Sequence, residues 1–185
     1  MTDVIILGGG VAALWTGCEL KARGYTVAII SNSNLGVGQS LAAQGVIHGG
    51  LKYALGGVLN DASEALAAMP KRWEDAVNGK GLVDLSGAEV LSSHQIMWSS
   101  PTNPLSRAAS LLGSKTLVGR AGAMKRDEWP AALSSPRYKG NVFRISEPVL
   151  CPHSIIRELA RNLDGDIYAG DASVEMDGSG KVQCI

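Results

Sequence analysis

The stretch Asp3-Val-Ile-Ile-Leu-Gly-Gly-Gly-Val-Ala-Ala13 decides the fold of this chain. Its apolar run over residues 4–7 stops at three glycines, a pattern typical of a buried parallel strand that turns directly into a helix. The helix pattern continues to Arg23, and Gly24 stands where a helix commonly ends. A second apolar strand follows over residues 26–30. The sequence therefore predicts a β-α-β unit.

The glycines of this unit predict a phosphate site. Gly8 allows a tight turn, and Gly10 has no Cβ, so a pyrophosphate can approach the backbone. The N–H groups and the dipole of the following helix then face the negative charge. Ala13 occupies the third small position of the dinucleotide fingerprint, where helix and strand pack closely. We predict that the cofactor contacts here are Gly8, Gly10, Val11, Ala12 and Ala13.

The end of the second strand departs from the usual dinucleotide fingerprint. An aspartate or glutamate normally holds the ribose hydroxyls at this point, and this chain has Ser31 followed by Asn32. A hydroxyl and an amide can still hydrogen-bond a ribose. Because no carboxylate repels a 2′-phosphate, this position does not exclude NADP.

Composition and charge limit the possible partners. The chain has 185 residues, 45% of them hydrophobic, which suits a soluble globular protein with a substantial core. Lysine plus arginine equal aspartate plus glutamate at 17 each, and no basic cluster is longer than a pair. A nucleic-acid-binding surface needs a concentration of positive charge, so we expect no nucleic-acid partner.

The cysteines and the N-terminus bear on location. Cys18, Cys151 and Cys184 are odd in number and scattered, which fits a reducing compartment better than a disulfide framework. Asp3 stands where a signal peptide would be basic, and no apolar run is long enough to cross a bilayer. The expectation is a cytoplasmic protein without an integral membrane segment.

A second motif follows in the run Gly38-Gln-Ser-Leu-Ala-Ala-Gln-Gly-Val-Ile-His-Gly-Gly-Leu-Lys-Tyr53. This run resembles the second flavin-contact segment of the D-amino-acid-oxidase-like FAD-dependent oxidoreductases. The glycine turn before it strengthens the resemblance. That superfamily includes glycerol-3-phosphate dehydrogenase, 2-hydroxyglutarate oxidase and glycine or sarcosine oxidases. The resemblance implies FAD as the cofactor and a hydroxy acid, a polyol phosphate or an amino acid as the substrate. A glutamate ends the second strand in that family, so Ser31 is a departure.

The residue types of this segment suit a flavin. Gln39 and Ser40 can donate hydrogen bonds to phosphate or ribityl oxygens, and the glycines let backbone lie against a planar ring. His48 and Lys52 supply donors where a reduced flavin accumulates negative charge, and His48 is the candidate proton acceptor. A structural histidine in a loop is the alternative for His48. The segment's predicted cofactor contacts are Gln39, Ser40, Ala43, Gly45, Val46 and His48, and the predicted catalytic residues are His48 and Lys52.

The rest of the chain changes in style. Alternating apolar residues over 82–85 and 89–99 predict antiparallel strands, after a helix over 61–77 that Pro70 should kink or split. A helix through Leu112 and a strand over 116–118 follow, and residues 125–133 resemble the short helix that the family places in this part of the chain. Pro152 then begins a helix, and a strand and a hairpin complete the sequence.

The resemblance gives this order of elements a domain organisation. It implies an α/β fold with a Rossmann-like FAD-binding β-α-β domain and an inserted antiparallel α+β segment of the substrate domain. The FAD-binding domain comprises residues 1–57 and 147–185, and the partial substrate domain comprises residues 58–146. In the family the start of the final hairpin passes near the adenine, so the resemblance implies Ala172 as a cofactor contact. The family continues for about as much again, which implies a C-terminal half or a second subunit as a partner.

Three functions compete at this stage. The first is an FAD-dependent oxidoreductase that oxidises a C–H next to a hydroxyl or amine by hydride transfer to flavin. The second is a nicotinamide enzyme, which has no need of the second segment. The third is a non-catalytic dinucleotide-binding subunit or a truncated fragment. A metal site at Cys151 and His153 lacks further ligands nearby, so we predict no metal.

Overall fold

A computed structural model describes residues 1–48, 61–98, 121–180 and 182–184. Lys52, the predicted helix through Leu112 and the predicted strand over 116–118 lie outside these residues. The chain forms two compact units. The first comprises Met1–Gly45, Glu74–Glu89 and Cys151–Ile185, and the second comprises Val46–Trp73 and Val90–Leu150.

A three-stranded parallel sheet forms the centre of the first unit. Strand β1 (Val4–Leu7) leads into helix α1 (Val11–Ala22) and strand β2 (Val27–Ser31), which confirms the predicted β-α-β unit. Strand β8 (Ile167–Ala169) pairs in parallel with β2, so β2 lies between β1 and β8. Because parallel strands need long crossover connections, residues far apart in sequence meet in this sheet.

One face of this sheet is buried under two helices. Helix α4 (Pro152–Asn162) begins at the predicted proline and packs with α1. Leu14, Ile29, Leu159 and Leu163 are all fully buried, at 0% exposure. A Cβ added to Gly17 would lie 2.8 Å from Ile29 Cδ1, so helix and strand approach as closely as backbone allows.

The opposite face of the sheet carries apolar side chains that contact water. The strand register aligns Leu7 with Ile30 and Ile30 with Tyr168, so the three form a row on one face. Leu7 is 47% exposed and Tyr168 is 55% exposed. This row is called the open row below.

Smaller elements complete the first unit. Helix α2 (Gln39–Ala42) follows β2, and strands β9 (Glu175–Met176) and β10 (Val182–Cys184) pair as the predicted antiparallel hairpin. The predicted strand over residues 82–85 is wrong. Val83 and Leu85 are buried, but they lie in a bend and an irregular segment, where the Leu85 N–H donates to the Ala76 carbonyl at 2.9 Å.

The second unit is built from antiparallel pairs, as the sequence predicts. Strands β4 (Gln95–Trp98), β5 (Ala121–Ala123) and β6 (Val142–Ile145) form a sheet with β6 in the middle. Strand β3 (Val90–Ser92) pairs separately with β7 (Val149–Leu150). The predicted short helix over 125–133 is replaced by two 3₁₀ turns, Arg126–Glu128 and Ala131–Leu133, because Pro130 lies between them.

Helix α3 (Asp61–Val77) runs through Pro70 without a break. Proline removes one backbone donor, and the other backbone bonds of a 17-residue helix remain, so the predicted split does not occur. None of the helices in the described parts of the chain has the length and apolar character needed to cross a membrane. The predicted class, an α/β fold with a parallel sheet and an antiparallel segment, is confirmed.

Candidate cofactor site

The glycine turn at residues 8–10 carries the chain from β1 into α1. Gly8 has a φ of +114°, a conformation that side-chain-bearing residues rarely adopt. Its N–H donates to the Ile30 carbonyl at 2.8 Å, so the turn is fixed to β2. Gly10 lies at the N-cap of α1, and its carbonyl accepts the Leu14 N–H at 3.0 Å. The helix therefore starts at Val11, within the predicted cofactor contacts.

The second predicted segment reaches this turn through one hydroxyl. The Val11 N–H donates to Ser40 Oγ at 3.0 Å, and a Cβ added to Gly10 would lie 3.3 Å from the same oxygen. Gly10 has no side chain with which to cap α1, so Ser40 provides a cap from a distant part of the sequence. The structure thus brings together Gly10, Val11 and Ser40, all predicted to contact a cofactor.

Gly9 is a site residue that sequence reasoning missed. A Cβ added there would lie 2.7 Å from Ser31 Oγ and 2.8 Å from Leu35 Cδ2, closer than real atoms approach. Its carbonyl also accepts the Gly36 N–H at 2.8 Å. The signal is the third glycine of the run, but its neighbours lie more than twenty residues away, so spacing alone does not reveal their contact.

Ser31 ends β2 beside the glycine turn. It is 5% exposed, and its hydroxyl donates to the Ser33 carbonyl at 2.9 Å. Asn32 is exposed. The Ser31 carbonyl accepts the Gly170 N–H at 3.0 Å, so the chain that leads to Ala172 leaves the sheet at this point. Ser31, Asn32 and the approach to Ala172 therefore lie at one end of the parallel sheet.

The remaining predicted contacts fall in two places. Ala12, Gln39 and Ala43 are exposed and Ala13 is half-buried, all in the first unit. Val46 and His48 belong to the second unit. There Val46 forms an antiparallel bridge with Val149, and the buried Ile47 donates its N–H to the Pro148 carbonyl at 3.0 Å. His48 is exposed.

Cys18 is a buried residue of α1 whose thiol contacts helix α4. Burial raises the pKa of its thiol to about 11, and its Sγ donates to the Leu159 carbonyl at 3.5 Å. The thiol therefore stays protonated at neutral pH and is a poor nucleophile. Within residues 1–48, 61–98, 121–180 and 182–184, no three histidine, cysteine or acidic side chains come together as metal ligands.

The chemistry of the turn fits a dinucleotide pyrophosphate. The N-terminus of α1 carries the partial positive charge of the helix dipole together with backbone N–H donors, and the Ser40 hydroxyl lies beside it. A Cβ at Gly10 would lie 3.3 Å from Ser40 Oγ, so a side chain there would crowd the space beside this hydroxyl. Beside the turn, β2 ends at Ser31, so no carboxylate is present at that point to bind a ribose.

Comparison with known proteins agrees with this geometry. Residues 3–183 match the family described as FAD dependent oxidoreductase. A Pseudomonas aeruginosa protein named "Probable FAD-dependent oxidoreductase PA4991" is 39% identical over 170 residues, which cover 92% of this chain and 43% of that protein. Its crystal structure matches with a TM-score of 0.72 at 32% identity, over 96% of this chain and 41% of that one.

Two further relatives show how far the likeness extends. Glycine oxidase from Geobacillus kaustophilus matches with a TM-score of 0.63 at 20% identity, covering 90% of this chain and 46% of that one, which shows the fold alone. Glycerol-3-phosphate dehydrogenase 1 of Mycobacterium tuberculosis is 36% identical over 55 residues, or 30% of this chain and 11% of that protein. The chain thus spans less than half the length of these relatives. By sequence match and by fold, it belongs to the FAD dependent oxidoreductase family.

Proposed function

We propose that this chain is part of an enzyme that oxidises a C–H next to a hydroxyl or amine. The observation that carries the proposal is the meeting of the glycine turn, the N-terminus of α1 and the Ser40 hydroxyl. FAD is the cofactor of the family, and when bound it supplies the hydride-accepting chemistry. The residues of the chain bind and orient it.

The proposed binding roles follow the positions of the residues. Backbone at Gly8, Gly10, Val11, Ala12 and Ala13 holds the pyrophosphate, because the helix N-terminus favours anions. Ser31 and Asn32 hold the adenosine ribose with neutral groups, and Ala172 lies at its adenine side. The flavin contacts are Gln39, Ser40, Ala43, Gly45, Val46 and His48.

His48 and Lys52 have the proposed catalytic roles. His48 is exposed, so a substrate and solvent protons can reach its imidazole. It accepts the proton that leaves the substrate hydroxyl or amine, and Lys52 supplies a positive charge. Replacing His48 with glutamine should slow flavin reduction far more than it weakens FAD binding.

We also propose the division of labour along the chain. Residues 1–57 and 147–185 bind FAD, and residues 58–146 contribute to the substrate domain. The compact units support this only in part, because Glu74–Glu89 pack in the first unit, whereas residues 46–48 and 147–150 belong to the second. The substrate is a small hydroxy acid, polyol phosphate or amino acid, and the location is cytoplasmic.

A partner completes the proposed enzyme. The open row of Leu7, Ile30 and Tyr168 leaves one face of the parallel sheet in water, whereas parallel sheets are usually covered on both faces. We propose that a C-terminal half or a second subunit covers this face. The relatives, more than twice as long, have polypeptide available for such a layer.

An anaerobic reduction experiment tests the function. The chain is loaded with FAD, and hydroxy acids, polyol phosphates and amino acids are added in turn while the absorbance of oxidised flavin is followed. Loss of that absorbance with one substrate class supports the proposal. Retention of FAD without reduction by any substrate would instead favour a non-catalytic subunit or fragment. Preference for NADP over FAD would overturn the cofactor assignment.

A further inference from the structure

Glu147 is a buried carboxylate that the proposed function does not use. It follows β6, it is 3% exposed, and its backbone N–H donates to the Ile145 carbonyl at 2.8 Å. The side-chain amide of Gln95, in the neighbouring strand β4, donates to Glu147 Oε2. Burying a carboxylate is costly unless hydrogen bonds stabilise it, so the bond from Gln95 matters to this part of the fold.

The residues after Glu147 hold the second flavin segment. Pro148 accepts the N–H of Ile47 at 3.0 Å, and Val149 forms the antiparallel bridge with Val46. Glu147 thus lies between the sheet of β4, β5 and β6 and the residues that bond to Val46 and Ile47, all within the second unit.

We propose that Glu147, held by Gln95, is a positioning residue for the segment of residues 46–48. A bond from an amide to a carboxylate is charge-assisted and therefore stronger than a neutral one. The bond between Gln95 and Glu147 holds the chain just after β6. It thereby positions the Pro148 carbonyl, which accepts the Ile47 N–H. The inference rests on the proposed function only in taking FAD as the ligand that this segment contacts.

Exchanging the amide and the carboxylate between Gln95 and Glu147 distinguishes a positioning role of their hydrogen bond from a contribution of side-chain packing alone. Glu147→Ala removes the acceptor, and Gln95→Glu sets two carboxylates against each other. The double variant Gln95→Glu/Glu147→Gln restores a donor and an acceptor with their positions reversed and nearly unchanged volume. Asp127→Ala, which removes an exposed carboxylate of the same unit, is the matched control.

Two readouts are measured on each variant of the full chain at pH 8. The first is hydrogen exchange of the Ile47 amide without flavin, and the second is the FAD dissociation constant from flavin fluorescence. We expect Glu147→Ala and Gln95→Glu to lower the protection of Ile47 and to weaken FAD binding, each by at least about tenfold. The double variant should return both to within about threefold of the parent, and Asp127→Ala should change neither.

The amides of Leu14 and Met124 report the fold of the two units during the same measurement, because each is bonded to a backbone carbonyl within its own unit. Unchanged Ile47 protection in Glu147→Ala would overturn the inference, as would a double variant that behaves like Gln95→Glu alone. If Glu147→Ala unfolds the second unit, the double variant decides. A parent chain that binds no FAD would refute the proposed function, and the exchange of the Ile47 amide would still decide this inference.

Discussion

Single residues around the glycine turn show that space, and not only backbone conformation, selects glycine. Gly8 needs its positive φ, but a Cβ there would meet nothing within 4 Å. At Gly9 the conformation is ordinary and the room is missing, because Ser31 and Leu35 pack against it. The two glycines are therefore required for different reasons.

Substitution of Gly9 tests this distinction. Gly9→Ala should lower the free energy of unfolding by about 1–3 kcal/mol, because the new methyl group overlaps Ser31 Oγ and Leu35 Cδ2. Gly178→Ala is the control, since nothing lies within 4 Å of its Cβ. Urea denaturation of both variants provides the measurement. Equal stability of the two would contradict the packing seen at Gly9.

The neutral end of β2 leads to a second prediction. The Ser31 hydroxyl already donates to the Ser33 carbonyl, so it has only its oxygen to offer a ribose. Ser31→Glu should tighten FAD binding about tenfold, since a carboxylate accepts charge-assisted bonds from ribose hydroxyls. Ser33→Glu, two residues further along the chain, adds the same charge away from the end of β2 and serves as the control. Fluorescence titration should find no gain in that control, and an equal gain would point to bulk charge.

Cys18 makes stability depend on pH. Burial raises its pKa from 9.0 to about 11, so the contribution of the protonated thiol is complete below pH 9. As the pH rises through 11 that contribution is lost, because the folded chain must then bury a thiolate. We expect the stability difference between the parent and Cys18→Ala to narrow by about 1–2 kcal/mol from pH 8 to pH 11. A difference that is constant over this range would contradict the burial of the thiol.

At the level of elements, local patterns predicted local structure. The β-α-β unit was readable because apolar runs and glycines mark its strands and turns within thirty residues. Gly9 was missed because its neighbours Ser31 and Leu35 are remote in sequence. The predicted strand over residues 82–85 is wrong because Val83 and Leu85 are buried alternately, as in a strand, while their backbone forms a bend and an irregular segment. Side chains brought together by topology leave no periodic signal.

The cap on α1 is the element-scale feature with the clearest energetic test. Ser40→Ala removes the oxygen that accepts the Val11 N–H, so it should destabilise the chain by about 0.5–2 kcal/mol. Ser173→Ala, at an exposed position, serves as the control. Thermal unfolding followed by circular dichroism measures both. Equal midpoints would show that the hydroxyl does not stabilise the start of the helix.

The whole chain presents an incompletely covered sheet, as Leu7 and Tyr168 show. Water near the site weakens the electrostatic terms that hold a charged cofactor. Together with the neutral Ser31, this predicts that the chain by itself binds FAD with a dissociation constant above about 1 μM. Fluorescence titration measures it. Submicromolar binding with rapid reduction by a substrate would show that these residues alone make a working enzyme.

The first unit is assembled from three separate stretches of chain, and this has a consequence for biosynthesis. On the ribosome, β1, α1 and β2 emerge early, but β2 gains its second neighbour only when residues 167–169 have been made. Closing so long a loop costs entropy and delays the sheet. Until then, the apolar faces of the nascent β-α-β unit remain exposed to solvent. We expect chaperones to bind the nascent chain during this interval.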